Sequence, residues 1–74
     1  MCVILQCDDH IPKLDMLQDA QKTNPHGGGF AYTKDGLVHW EKGIHVNAQY
    51  VNEYVKRNKL TKKNNLIVHF RIAT

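Results

Sequence analysis

The stretch GFAYTKDGLVHWEKG, residues 29–43, decides how this 74-residue chain folds. Asp35-Gly36 is the dipeptide a tight primed turn favours, because both central residues of that turn need positive φ. Two β-prone runs flank it, Phe30 to Thr33 and Leu37 to Glu41. The pattern predicts a β-hairpin.

Upstream, TNPHGGG (residues 23–29) stops a helix, since Asn24-Pro25 and three glycines cannot continue one. Ile11, Leu14 and Leu17, with Met16 and Ala20 beside them, form a helical stripe through about Lys22. Pro12 suits the first turn of that helix. DDHIP (8–12) separates it from an apolar run, Cys2 to Cys7, that reads as a strand. Alternation places Val3, Leu5 and Cys7 on one face and Cys2, Ile4 and Gln6 on the other. Downstream, Asn47 can cap a second helix. Val51, Tyr54, Val55 and Asn58 line its inner face, and NKLTKKNN (58–65) is a polar exit. NLIVHFRIAT (65–74) is the strongest strand signal: Leu66, Val68, Phe70 and Ile72 face one way, Ile67, His69, Arg71 and Ala73 the other. The predicted class is α+β, ordered strand, helix, hairpin, helix, strand.

A chain this short forms one domain and buries about 60% of the surface its unfolded form exposes. Its 42% apolar content is that of a globular protein. No apolar run approaches the ~20 residues of a membrane helix, and CVIL lacks the basic flank and length of a signal peptide. A soluble cytoplasmic protein is expected. No internal repeat or low-complexity segment occurs. The sequence ends on a strand with no element after it to cover it. That ending reads as a cut through a larger domain, and an uncovered last strand makes a homo-oligomer an expected outcome.

The net charge is +3, and five of the ten basic residues fall in KRNKLTKK (56–63). Lys56, Arg57, Lys59, Lys62 and Lys63 can form a polyanion patch, or simply a solvated helix end favoured by the helix dipole. No aromatic residue interleaves with them, as a base-stacking surface wants, so nucleic acid is not an expected partner. The five histidines show no ligand spacing, and no metal or cofactor is expected.

Three features carry candidate chemistry. Methionine aminopeptidase removes Met1 when residue 2 is small, which leaves Cys2 with a thiol and a free α-amine on one residue. An amine with a pKa of about 7.7–8.0 can take the thiol proton directly or through water. In NPHGGGFAY (24–32), Gly28 and Gly29 allow the backbone to approach a ligand closely, or form a tight turn into a strand. In HFRIAT (69–74), Arg71 offers a planar fork suited to a carboxylate, with Thr74 adding a hydroxyl. The ordinary reading of Arg71 is an internal salt bridge, and that of His69 a structural residue. The two cysteines, five residues apart, point to opposite faces, so no bridge is expected, and Cys7 reads as a small buried residue.

Taken together, the MC start, NPHGGGFAY and HFRIAT resemble class II glutamine amidotransferases, the N-terminal-nucleophile type. GLVHWEKGIH (36–45) is similar to that family's second hairpin strand. Ile72 stands where an aromatic residue is common in the family, and His26 where an aspartate often precedes the glycine. The resemblance implies the N-terminal portion of an Ntn-hydrolase-like αββα sandwich. It implies that Cys2 attacks the side-chain amide of L-glutamine to form a γ-glutamyl thioester, and that ammonia is released for transfer. Arg71 would hold the α-carboxylate, with Thr74, Gly28 and Gly29 beside it. The family's oxyanion Asn-Gly and its α-amine-binding aspartate have no counterpart within these residues, so the 74 residues alone are expected to lack full activity. The acceptor of the ammonia is not encoded here. The alternative is a non-catalytic or degenerate α+β module that binds a partner or polyanion through residues 56–63.

Overall fold

In the computed structural model, which describes residues 2–7 and 10–72, the hairpin forms the middle of the chain. Strand β2 (Gly27–Lys34) turns at Asp35-Gly36 into β3 (Leu37–Gly43). Asp35 and Gly36 have φ of 55° and 77°, the two positive values the turn requires. Strand β1 (Cys2–Cys7) precedes helix α1 (Leu14–Thr23). After the hairpin come helix α2 (Ala48–Arg57), a single 3-10 turn (Lys62–Asn64) and strand β4 (Leu66–Arg71). The chain is a small α+β fold with one four-stranded antiparallel sheet, ordered β1-β4-β2-β3, and two helices.

β1 and β2 run parallel with β4 between them, so α1 carries the chain across one strand. α2 does the same between β3 and β4. The two helices pack on each other and on one face of the sheet. The core between the layers holds Leu17 from α1, Val51 and Val55 from α2, Cys7 from β1, Phe30 and Tyr32 from β2, and Leu66, Val68 and Phe70 from β4. Alternation along β4 sends those three residues inward and leaves Ile67, His69 and Arg71 outward. No helix among the described residues is long and apolar enough to cross a membrane.

Several expectations change. The glycines at 27–29 belong to β2 rather than forming a loop: all three pair with β4, and Gly28 and Gly29 pair with β3 as well. Pro12 lies ahead of α1, whose N-cap is Lys13 with no side-chain cap. Met16 is exposed, while Leu60 of the polar exit and Val46 of the loop before α2 are buried in the core. β4 is interior to the sheet with a partner on each side, so the sheet edges are β1 and β3, and the argument for self-association from an uncovered last strand does not hold. Asn47 caps α2 as expected, its side chain accepting from the Tyr50 amide at 2.8 Å. The first amide of that helix, of Ala48, donates to the Gln21 side chain at 2.8 Å, which ties α1 to α2.

Candidate functional site

Among the described residues, nothing covers the face of the sheet opposite the helices. Three rows cross it, set by strand register. At one end Cys2 pairs with Arg71, and Arg71 with Gly27. Next, Ile4 pairs with His69, His69 with Gly29, and Gly29 with Lys42. Then Ile67 pairs with Ala31, and Ala31 with Trp40. Residues far apart in sequence thus become neighbours: paired Cα atoms in an antiparallel ladder lie about 4.5–5.5 Å apart.

The glycines make room on both faces. A Cβ on Gly27 would sit 3.5 Å from Cγ and Cδ of Arg71, so the arginine stem runs across this glycine. A Cβ on Gly29 would sit 3.2 Å from the His69 ring, on the open face. Gly28 has the opposite parity. A Cβ there would lie 2.3 Å from the Val46 carbonyl oxygen and 2.9 Å from the Phe70 ring, both on the helix side. The Cβ position of Gly28 is therefore taken up by packing on the helix side, while its backbone borders the cleft on the open face.

A cleft of about 420 Å³ opens at the Gly27 end, lined by His26, Gly27, Gly28, Lys42, Gly43, Ile44, His69 and Arg71. Among the described residues, every ionisable side chain on its wall is basic. Arg71 is exposed and has no carboxylate partner among the described residues. Just ahead of β2, the His26 amide donates to the Arg71 carbonyl at 2.8 Å. Beside the cleft, a shallower hollow of about 310 Å³ is lined by Ile4, Ala31, Trp40 and Ile67 and shares Lys42 and His69 with it.

No family model, curated protein or solved structure matches this chain.

Behind β3 lies a polar cluster. The Glu41 carboxylate accepts from the Tyr50 hydroxyl at 2.5 Å and pairs with His45 Nε2 at 2.7 Å. The Tyr50 hydrogen bond, and then that of His45, hold the Glu41 carboxyl below the usual carboxylate range, while the carboxylate pushes the Tyr50 hydroxyl up. Deeper in, the Tyr32 and Tyr54 hydroxyls meet at 2.8 Å. Burial first, and then this bond, raise Tyr32 to about 12. His39 stacks on Tyr32 at 4.9 Å. The Glu41 carboxylate thus faces His45 and Tyr50 and not the cleft.

Of the predicted site residues, the register brings Cys2, Arg71 and the glycine segment together. Gly29 faces the open side beside His69, and Gly28 does not. Thr74 lies outside the described residues. Cys7 is buried on the helix side. Among the described residues no group of three or more His, Cys, Asp or Glu could hold a metal ion. Lys56, Arg57, Lys59, Lys62 and Lys63 are all exposed, with Arg57 5.7 Å over the Tyr54 ring. Reasoning from sequence missed Lys42. Its place was readable: counting back from the Asp35-Gly36 turn sets residue 42 opposite residue 29.

Proposed function

We propose that the chain carries the nucleophile and carboxylate clamp of a glutaminase of class II amidotransferase type, acting in the cytoplasm. The supporting observation is the first row of the open face, where Cys2, Arg71 and Gly27 are consecutive register partners. The basic cleft at that end suits the α-carboxylate of glutamine. The Arg71 stem leans over Gly27, away from β1, so a carboxylate bound there leaves the rest of the ligand free to reach back toward residue 2. Glutamine's α-carboxylate and amide carbons are separated by four carbon–carbon bonds, roughly 5 Å. That length is commensurate with one interstrand step. In this reading the helix-and-sheet pair is half of a four-layer αββα sandwich.

The chemistry follows from an N-terminal cysteine. After loss of Met1, the Cys2 amine accepts the thiol proton through a water molecule. The sulfur attacks the glutamine amide carbon, the C–N bond breaks, and ammonia departs with the returned proton. Water then cleaves the γ-glutamyl thioester to glutamate and the free thiol. A reducing compartment keeps Cys2 in its thiol form.

The test is intact mass after exposure to a glutamine-like diazoketone. The expected result is a chain lacking Met1 with one adduct, on Cys2, suppressed by excess glutamine. A processed chain that stays unmodified overturns the proposal. The basic 56–63 segment supports a second reading, as a polyanion patch, because all five cations are exposed. It lies by the hairpin tip, where Lys34 Nζ donates to the Asn58 carbonyl at 3.0 Å. That is about 20 Å along β2 from the cleft. Neutralising Lys62 and Lys63 should leave adduct formation unchanged and abolish any salt-dependent polyanion binding.

A further inference from the structure

The two hollows on the open face share a wall but differ in chemistry. One end is apolar, with Ile4, Ala31, Trp40 and Ile67 around it; Trp40 is 66% exposed and Ile4 65%. The other end is basic, with Arg71, Lys42, His26 and His69. Among the described residues, the only acidic one bordering either hollow is Glu41, and its carboxylate is turned away to His45 and Tyr50. Such a surface is complementary to a molecule with an apolar body and one anionic end. A second copy of this chain fits it less well, since the chain carries a net charge of +3 and would bring like charges to the basic end.

We propose that the open face binds a small amphiphilic carboxylate, its head on Arg71 and Lys42 and its body across Ile4, Trp40 and Ile67. The rows of Arg71 and Ile67 are four residues apart along β4, about 13 Å. An extended eight- to ten-carbon chain is about 9–11 Å long, and the carboxylate-to-guanidinium contact of about 3 Å completes that distance. The proposal shares the basic cleft, with Arg71 and Lys42, with the glutaminase reading. With the face open, such a carboxylate competes with glutamine for the guanidinium; a second sheet of an αββα sandwich packed on this face would exclude its apolar body.

Trp40 is the chain's single tryptophan and stands at the apolar end, so its emission reports occupancy without any turnover. Sodium octanoate is titrated against the whole chain, with octan-1-ol and sodium acetate as matched controls. The expected result is a saturable change in Trp40 emission with octanoate, and binding at least about tenfold weaker for each control. Hexanoate should bind more weakly than octanoate, by up to about fourfold per methylene removed. Arg71→Gln, with its fold checked by far-UV circular dichroism, should weaken octanoate about tenfold. Lys62→Gln, at the far end of the sheet, should not. Equal binding of octanol and octanoate, or of acetate and octanoate, overturns the proposal. So does an absence of saturable change. Emission that depends on protein concentration, together with a dimer in sedimentation, would assign the face to a second copy and also overturn it. Octanoate binding with no diazoketone adduct would sink the glutaminase reading alone, and the converse result would sink this one alone.

Discussion

Replacing Gly28 with alanine tests which face of β2 is the core. The new Cβ would lie 2.3 Å from the Val46 carbonyl oxygen and 2.9 and 3.1 Å from two carbons of the Phe70 ring. Comfortable carbon contacts are about 3.5–4.0 Å, so something must move by roughly 1 Å. The obstacle is backbone on one side and a fully buried ring on the other, and neither yields easily. Overpacking of this kind costs about 1–3 kcal/mol, and the backbone clash puts Gly28→Ala near the top of that range. Domains of this size are stable by about 4–11 kcal/mol, so the loss is a large fraction of the total. At about 4–8 °C per kcal/mol, the Tm should fall by about 10–20 °C. Gly29→Ala is the matched control. Its Cβ would meet the Glu41 carbonyl oxygen and the His69 ring at 3.2 Å, and the ring, on the open face, can turn aside. A loss of about 1 kcal/mol or less is expected. Thermal and urea denaturation followed by circular dichroism measure both. If Gly29→Ala proves the more damaging, β2 is inverted, because a one-residue slip exchanges the faces of every residue on the strand. The assignment of Arg71 and His69 to the open side would fall with it.

Asn47→Ala removes the side-chain acceptor for the Tyr50 amide and should cost about 1 kcal/mol in urea denaturation, with Asn47→Asp close to wild type. Glu41 has a lowered folded-state pKa, so its contribution is present above the ordinary carboxylate range and is lost as pH falls through the folded value. The stability gap between wild type and Glu41→Gln should therefore be wider at pH 7 than at pH 3, and an unchanged gap would refute the assignment. Tyr32 is raised from 10.0 to about 12 by burial and by Tyr54, so its contribution is intact below pH 10 and fades between pH 10 and 12. Wild type should lose more stability than Tyr32→Phe over that interval in paired denaturation curves.

The elements that can be read from sequence are those whose signal is local. Asp35-Gly36 states its own turn, Asn47 its own cap, and the alternation from Leu66 to Arg71 its own two faces. The glycine segment could not be read this way. Gly27 to Gly29 carry no side chain to show a period of two, and their strand conformation comes from pairing with β3 and β4. Leu60 and Val46 sit in polar stretches, and their burial is set by tertiary packing rather than by a local period. The insertion of β4 between β1 and β2 is a long-range pairing, and no neighbouring residue specifies it. The same holds for the site. Cys2 and Arg71 were visible one by one as residue types, but their adjacency is a property of register across the sheet. Lys42 was within reach of a count from the turn, whereas the inward parity of Gly28 needed the pairing with Phe70.

The central claim is that Cys2 and Arg71 serve one site. The measurement that tests it most directly compares the rates at which two electrophiles modify Cys2 in wild type and in Arg71→Gln, followed by intact mass. One electrophile is the glutamine-like diazoketone, which carries an α-carboxylate; the other is iodoacetamide, which has none. Cys7, only 2% exposed, serves as the buried internal control and should resist both until the chain unfolds. A hydrogen bond to a charged group is worth about 1.5–3 kcal/mol, so Arg71→Gln should slow the diazoketone about tenfold or more. It should leave iodoacetamide within about twofold, a change of less than 0.5 kcal/mol at about 1.4 kcal/mol per decade. Equal slowing of both reagents, or of neither, would contradict the account.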